Sequence, residues 1–334
     1  MDKFLLGLLG FYVLNNCINK LLGHYVTIYM IHRPEPKDGI HHGLSPALLE
    51  QCLIYAKKQN YHFASLDEIV SDAIQGRVPS RPTLCFTIDD GFDDQVEELV
   101  PILLKYEAKP TIFVLTNFVD GVDWPWDSKI GYMVNNTSCC SDYLSYKGVQ
   151  FPLNFDSMEN KILTRRALVK YAKYLPSQEL DDFMKIVANE LAVSPPLTAP
   201  TPYKPTSWER LCHYESLGLK VGSHACTHRV FSSLALDTVK EEIIHAKNRL
   251  EMELSLPSRV FCFPSGTAKD FSTVHSNLVR ELGYMGAVSA NPGNNTMTSI
   301  KQTLYTITRH TFPNTLAQFA RYSSWFEVIR SKLT

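Results

Sequence analysis

The stretch TLCFTIDDGFDD, residues 83–94, decides the fold, because a short apolar strand runs straight into four carboxylates. An Asp-Gly pair is a turn signal, and acidic side chains favour the N-terminus of a following helix, which accounts for Asp93 and Asp94. Asp89 and Asp90 need another reason, since adjacent carboxylates beside a buried strand repel each other unless a cation, a proton or a hydrogen-bond donor compensates. The stretch alone leaves two interpretations open, a structural turn and a metal or acid–base site.

Strand-like and helix-like segments alternate on both sides of this stretch. Apolar runs predict strands at residues 25–31, 83–88, 110–115, 219–223, 259–263 and 285–289. Apolar residues at helical spacing predict helices at about 46–59, 95–106, 208–217, 238–254 and 273–282. This βαβα order is typical of a parallel sheet or barrel that is covered by helices.

One region, from about residue 120 to residue 205, interrupts the alternation. It opens with the aromatic stretch WPWDSKIGYM, continues with mixed helical sequence and ends with the proline-rich SPPLTAPTPYKP. We expect an insertion of largely helical character that is tied back to the main domain by an extended segment.

Composition limits the kinds of partner. The chain has 334 residues, 45% of them hydrophobic, and a formal net charge of -1, so it can bury a large core. The near-zero charge, without a sustained basic stretch, argues against a nucleic-acid partner. Eight cysteines at irregular spacing, with no CxxC pair, predict free structural thiols and favour a reducing compartment.

The N-terminus, MDKFLLGLLGFYVLNNCINKLLGHY, has one lysine before a short apolar run. No small-x-small cleavage motif follows, and the run is shorter than the roughly 20 residues of a membrane span. Because its apolar residues recur at helical spacing, we expect residues 1–22 to form a helix that packs on the domain or lies at a membrane surface. This favours a cytoplasmic protein or one at the inner face of the cytoplasmic membrane, with a signal peptide and export as the alternative.

A second polar cluster is predicted to lie at the same edge of the sheet as the paired carboxylates. Parallel strands deliver functional side chains at their C-terminal ends, where Asp89 and Asp90 stand. His224 and His228 follow the predicted strand LKVGS in the same way, although such a pair is also common on surfaces and in packing contacts. Two imidazoles and one carboxylate make a three-ligand set with open positions, typical of a hydrolytic metal, and leave the second carboxylate to act as a base.

These motifs resemble those of the polysaccharide deacetylases of carbohydrate esterase family four, the NodB-homology family. TIDDG is similar to the family's TFDDG, SHACTH to its HSxTH, and FCFPSG to a segment that reads RPPYG or FAYPYG. The similarity extends from about Tyr25 to Arg309. It implies that residues 23–334 form a distorted (β/α) barrel with fewer than eight strands and a helical insertion, and that the protein hydrolyses an N-acetyl or O-acetyl group on a sugar with a metal.

The resemblance also implies roles for individual residues. By position, Asp90, His224 and His228 become the metal ligands and Asp89 the general base. The backbone amide of Ser265, next to Pro264, falls where the family places an oxyanion donor.

Three departures from the family pattern affect the site. The motif arginine of RPPYG is Cys262 here, so Arg309 is our candidate for the residue that pairs with the catalytic aspartate. Ser265 replaces an aromatic residue that often walls the site, and no Asp-x-x-Asp-Trp motif is visible in GAVSANPGNN. The general acid stays open between His310 and His32, each of which can equally be a core or surface histidine.

We therefore expect a metal-dependent deacetylase, with Zn²⁺ as the metal, that removes acetyl groups from a glycan or glycolipid. Two alternatives are a metal hydrolase of another C–N amide and a catalytically inactive barrel that binds a glycan. The four residues of the two motifs together speak against the inactive barrel, which has no chemical need for all of them.

Overall fold

The computed structural model describes residues 12–36, 41–139 and 141–333. The strands of the described chain are β1 Tyr25–Ile31, β2 His62–Phe63, β3 Thr83–Asp90, β4 Thr111–Val114, β5 Tyr143–Tyr146, β6 Val149–Pro152, β7 Lys220–Ser223, β8 Val260–Cys262, β9 Gly286–Val288, β10 Asn295–Thr296 and β11 His310–Thr311. The centre of the fold is a sheet in which four neighbouring strands, β1, β3, β4 and β7, run parallel.

Helices surround this sheet. In the described chain they are α1 Tyr12–Leu22, α2 Pro46–Lys58, α3 Leu66–Gln75, α4 Val100–Lys105, α5 Thr116–Val119, α6 Trp126–Asn136, α7 Met158–Ala172, α8 Ser177–Glu190, α9 Trp208–Ser216, α10 Leu236–Glu253, α11 Thr273–Glu281, α12 Met297–Gln302, α13 Leu316–Tyr322 and α14 Trp325–Leu333, with a π-helix at Gln95–Leu99.

The register of the sheet brings the two motifs together. β3 lies between β1 and β4, and β7 pairs with the far side of β4. Asp90 is paired with Val114, and Val114 with Ser223, so the ends of three parallel strands are level. His224 therefore begins its loop beside the carboxyl end of β3, because side chains that follow neighbouring parallel strands meet at one edge.

The sheet curls back on itself. Beyond β7, the Ser258 amide donates to the Val221 carbonyl at 2.8 Å, and β8 pairs in parallel with β9. Val288 at the end of β9 bridges to Ile307, and β11 then pairs in parallel with β1. The fold is thus the predicted distorted (β/α) barrel, and every residue of β1 and β3 is buried, as in a parallel sheet covered on both faces.

The predicted strands and helices of the barrel are confirmed, with one local difference. The helix expected over residues 95–106 begins as a π-helix, in which the Val100 amide bonds to the Gln95 carbonyl. Pro101 explains this, because it lacks the N–H that an α-helix would need to bond to the carbonyl of Glu97.

The insertion packs around an apolar cluster of its own, which includes Ile130, Leu168 and Phe183. It is largely helical, as expected, through α6, α7 and α8, but it also contains the hairpin β5–β6. Sequence reasoning missed the hairpin, although Lys147 and Gly148, both at positive φ, form the kind of two-residue turn that joins such strands. The chain returns to the barrel where Pro205 bridges Phe92.

The N-terminal helix is described from Tyr12, so the first half of the predicted helix over residues 1–22 lies outside the described residues. The described part packs on the barrel through two buried asparagines. Asn15 Nδ2 donates to the Tyr61 hydroxyl at 3.0 Å, and Asn19 Oδ1 accepts from the Tyr25 amide at 3.0 Å. Within the described residues, no helix has the length and apolar character needed to cross a membrane.

Candidate active site and metal centre

The four crowded carboxylates occupy three kinds of environment. Asp93 and Asp94, at the start of the following helical segment, form ion pairs with Arg210 and Arg33. Both pairs are partly exposed and hold the loop against neighbouring segments. These two carboxylates are therefore structural, in agreement with the turn and helix-start interpretation.

Asp89 is buried and bound by a single arginine. Its two carboxylate oxygens accept from Arg309 Nη1 and Nη2, both at 2.8 Å. The other three N–H groups of Arg309 are also used, by the carbonyl of Ser289, the hydroxyl of Thr87 and the Cys262 sulfur. Burial raises the pKa of Asp89, but the Arg309 guanidinium outweighs burial and holds the pKa below its usual range. Asp89 is thus a fixed, ionised carboxylate at neutral pH.

Asp90 is the carboxylate that lacks such a partner. No arginine or lysine of the described chain forms an ion pair with it, and its buried Oδ1 atom accepts no hydrogen bond from those residues. The same oxygen lies 3.6 Å from Nε2 of His224 and 3.6 Å from Nε2 of His228. A buried anionic oxygen facing two imidazole nitrogens without a direct hydrogen bond is the environment that a cation would satisfy.

Both imidazoles are held from behind, so that their Nε2 atoms face Asp90. His224 Nδ1 lies 2.9 Å from the Cys262 carbonyl oxygen, and His228 Nδ1 lies 3.2 Å from Asp127 Oδ1. Metal-binding histidines in proteins are oriented in this way, with the second ring nitrogen bound to a carbonyl or a carboxylate. The donor set Asp90, His224 and His228 therefore fits a divalent cation in both residue type and orientation.

The two histidines differ in charge state. Burial lowers the pKa of His224 to about 4, so this ring is neutral at pH 7. Burial also opposes the charged form of His228, but the Asp127 carboxylate and the nearby Asp90 raise its pKa to about 9. A cation that binds to Nε2 of His228 must therefore displace a proton at neutral pH.

A second grouping, Asp89 with His224 and Cys262, is also compact enough for a metal. It does not fit one chemically. Burial raises the pKa of the Cys262 thiol well above its usual value, so the sulfur stays protonated. Both carboxylate oxygens of Asp89 already accept hydrogen bonds from the Arg309 guanidinium, which balances the negative charge without a further cation.

Backbone strain concentrates at this edge of the barrel. Four residues other than glycine adopt positive φ there, namely Asp90 (92°), Ala225 (64°), His228 (59°) and Ser265 (58°). Such conformations cost free energy and gather at functional sites, where the surrounding structure imposes them.

Gly91 and Gln95 hold the carboxylate loop in shape. Gly91 has a φ of 92°, and a Cβ atom there would lie 3.0 Å from Val114 Cγ1. Gln95 is fully buried, and its Oε1 accepts from the amides of Gly91 and Phe92 at 3.0 and 2.9 Å. Its Nε2 donates to the carbonyls of His32 and of Asp89, at 2.7 and 2.5 Å, so one side chain joins the ends of β1 and β3.

The histidine loop has a comparable brace from the helix α10. Glu242 accepts from the amides of Cys226 and Thr227 at 2.8 and 3.1 Å, and from the Thr227 hydroxyl at 2.6 Å. Sequence reasoning missed Glu242, Gln95 and Asp127. Only Asp127 carried a signal, as an acidic residue inside the aromatic stretch that opens the insertion.

A cleft of about 360 Å³ opens over these residues. Of the residues predicted from sequence, Asp89, Asp90, His224, His228, His32 and Ser265 line it. Arg309 is buried behind Asp89, and Pro264 is buried one residue before Ser265. The Ser265 amide donates to no other described residue, which leaves it available to a ligand.

His310 does not line the cleft. Its ring stacks on Tyr322 at a centroid distance of 5.2 Å, and its Nε2 lies 3.0 Å from Asn294 Oδ1. His32 is exposed and lines the cleft directly, together with His41 and His42. The structure thus brings only one of the two candidate acids to the cleft that the candidate metal ligands line.

Known structures resemble this chain over most of its length. The deacetylase PplD from Streptococcus pyogenes, in complex with acetate, matches with a TM-score of 0.60 at 16% identity, over 90% of this chain and 99% of that one. The chain has the polysaccharide deacetylase fold. A polysaccharide deacetylase from Bacillus cereus matches with a TM-score of 0.52 at 15% identity, over 90% and 70% of the two chains. A de-N-acetylase from Aggregatibacter actinomycetemcomitans gives 0.52 at 12% identity, over 88% and 99%.

The similarity to polysaccharide deacetylases that the motifs indicated is confirmed for the fold. No family model and no curated protein matches the sequence. Identities this low establish the polysaccharide deacetylase fold alone, so the activity has to be argued from the side chains of the cleft.

Proposed function

We propose that this protein is a metal-dependent deacetylase that hydrolyses an N-acetyl group on a sugar of a polysaccharide or glycolipid. One observation carries the proposal. The buried Oδ1 of Asp90 accepts no hydrogen bond from the described residues and faces two oriented imidazoles, while the adjacent Asp89 is separately held by an arginine. This division gives one carboxylate to a cation and keeps the other for proton transfer. The N-acetyl assignment is supported by the de-N-acetylase among the similar structures.

Asp90, His224 and His228 would hold the cation. Two nitrogen ligands and one oxygen ligand suit Zn²⁺, and the absence of a fourth protein ligand among the described residues leaves room for water and substrate. When bound, such a cation supplies a Lewis acid that polarises the acetyl carbonyl and makes water more acidic.

The protein's own groups move the protons. Asp89 accepts a proton from the attacking water as the new C–O bond forms at the acetyl carbon. The amide of Ser265 donates to the oxygen that becomes negatively charged. When the C–N bond breaks, the sugar nitrogen needs a proton, and acetate and the free amine leave.

We assign that last proton transfer to His32. It lies on the cleft at the end of β1, and Gln95 fixes its backbone through the carbonyl oxygen. His310 faces Tyr322 and Asn294 instead. His32→Gln should therefore lower kcat by about 10²-fold or more with metal content unchanged, and His310→Gln should have a much smaller effect. The reverse order would transfer the role to His310.

The direct test measures metal content and acetate release on the purified protein. We expect about one divalent metal per chain and acetate release from N-acetylated oligosaccharides. An amidase for another C–N bond would bind metal but spare these sugars, and an inactive glycan-binding barrel would release no acetate from any substrate. Either result would refute the deacetylase proposal.

A further inference from the structure

A groove continues from the cleft along the insertion and is lined by basic side chains. It encloses about 620 Å³, and the cations on it are Arg165, Arg166, Lys170, Lys173 and Lys269. No aspartate or glutamate of the described chain lines it. A chain with a net charge of -1 has thus gathered an excess of positive charge beside its candidate active site.

The helix α7 supplies most of this charge from one face. Residues 165, 166, 169 and 170 lie within one and a half turns, and Lys173 follows directly after the end of α7. At about 3.6 residues per turn, these positions share one side of the helix. Four of the five cations lie within residues 165–173, and their spacing lets the helix bring them to one side.

Two of the cations join the groove to the cleft, because Arg165 and Lys173 line both. Arg165 Nη2 lies 3.8 Å from Asp127 Oδ2, and the other oxygen of Asp127 holds the ring of His228. The Arg165 side chain crosses α6 at Gly131, where a Cβ atom would lie 3.0 Å from Nε. Its guanidinium is therefore seated against the carboxylate that orients a candidate metal ligand.

Arg166, Lys170 and Lys269 are exposed, and no described residue forms an ion pair with them. Arg166 and Lys170 stand four residues apart on one helix, an arrangement of like charges that weakens a helix. Repulsion between these two charges lowers the stability of the helix, whereas a negatively charged ligand in the groove would compensate for it.

We propose that the groove binds an anionic group of the substrate, a phosphate or a carboxylate, attached near the sugar that is deacetylated. The planar guanidinium of arginine can donate two parallel hydrogen bonds to the oxygens of either group, and each lysine ammonium adds a positive charge. The continuity of groove and cleft favours a substrate that lies in both over an unrelated ligand. This inference rests on the proposed deacetylase activity for the identity of the reacting sugar.

The test compares three trisaccharides of N-acetylglucosamine: the neutral sugar, its 1-phosphate, and a form with a terminal uronate. Equilibrium binding is measured on the Asp89→Asn protein, in which turnover is expected to be slow, and kcat/KM on the protein with Asp89 intact. We expect the two anionic probes to bind about tenfold tighter than the neutral sugar at low salt, and the difference to shrink at high salt. The stronger of the two anionic probes identifies the group.

The decisive variant is Arg166→Gln with Lys170→Gln, since neither residue contacts the candidate metal ligands. It should weaken binding of the anionic probes about fivefold to tenfold and leave the neutral sugar unchanged. A matched control, Lys240→Gln with Arg280→Gln, removes the same charge from the exposed surfaces of α10 and α11 and should change nothing.

Several results would overturn the groove assignment. Equal binding of neutral and anionic probes would do so, as would an equal loss in the control variant. If phosphatidylglycerol vesicles bind through Arg166 and Lys170 but the soluble anionic probes gain nothing, the groove is a membrane contact. Charge-dependent binding without acetate release from any probe would support the groove and refute the deacetylase activity, so the two proposals fail separately.

Discussion

The barrel edge and the insertion face each other across one cleft, but they are built in opposite ways. At the barrel edge, Asp89, Asp90 and His224 are almost wholly buried, at 3%, 8% and 2% exposure, on the ends of strands that are themselves buried. On the insertion, Arg166 and Lys170 are exposed on one face of a helix. In the enzyme that we propose, buried strand ends position the chemistry, whereas an exposed helix face of the insertion selects the substrate.

One contact crosses between the two regions. Asp127 belongs to the insertion helix α6, yet it holds the ring of His228, 101 residues further along the chain. The insertion therefore reaches the candidate metal centre as well as the groove. Substitutions in each region test this division.

The largest effect is expected from the candidate metal ligands. Asp90→Asn replaces an anionic donor by a neutral amide in a three-residue set, and His224→Ala removes a donor, so both should lower metal affinity by more than about 100-fold and abolish acetate release. Metal analysis after gel filtration measures the loss. A His224→Ala protein that keeps its metal and its full activity would contradict the ligand assignment.

The next largest effect separates the two adjacent carboxylates. Asp89→Asn should keep the metal but lower kcat by about 10²- to 10⁴-fold, because it removes only the general base. The same chemical change one residue later should instead remove the metal. Metal content and turnover measured on both variants decide the matter, and equal metal loss would mean that the pair is misassigned.

Arg309→Met tests how the base is kept ionised. In the native protein burial raises the Asp89 pKa, and Arg309 overrides burial to hold it below the usual range. Without the guanidinium the largest lowering influence on this pKa is gone, so the carboxylate becomes protonated at higher pH. We expect the acid limb of the kcat/KM profile to move to higher pH by more than about one unit.

Arg210→Met is the matched control for Arg309→Met, because it removes an arginine from Asp93 on the same loop, outside the cleft. Its pH profile should stay in place. An acid limb that moves equally in both variants would show that Arg309 acts through loop stability rather than through Asp89.

A smaller effect is expected at the contact between the regions. The raised pKa of His228, about 9, means that metal binding displaces a proton below that pH. Metal affinity should therefore rise with pH between 6 and 8, by up to about tenfold per unit. Asp127→Asn removes the main cause that raises this pKa, so it should flatten the slope and, at pH 8, weaken the metal about 10- to 100-fold. An unchanged slope would contradict this role of Asp127.

Sequence reasoning located the barrel edge well because its signals are local. Strand ends follow from apolar runs, and parallel pairing then brings Asp90 and His224 together whatever the insertion does. Arg309 was nominated because Cys262 replaces the motif arginine, and the structure puts its guanidinium on Asp89.

The rest depended on tertiary contacts. His310 follows Arg309 directly, and the side chains of successive residues in an extended segment point to opposite sides. The two side chains therefore could not both lie beside Asp89. The structure places Arg309 beside Asp89, and His310 against Tyr322 and Asn294. Asp127, Gln95 and Glu242 act through contacts that only the folded chain brings together.

The smallest expected effect compares two glycines, one from each region, that share a positive φ. Gly148 turns the insertion hairpin with a φ of 81°, and a Cβ atom there would meet nothing within 4 Å. Gly148→Ala should therefore cost only the backbone strain, about 1 kcal/mol of unfolding free energy, and leave kcat unchanged. Gly91→Ala adds a contact of 3.0 Å with Val114 Cγ1 to the same strain, beside Asp90, so it should cost more stability and also weaken metal binding. Chemical denaturation and metal titration on both variants test the difference. If Gly148→Ala reduced metal affinity as much as Gly91→Ala, the chemistry would not belong to the barrel edge alone.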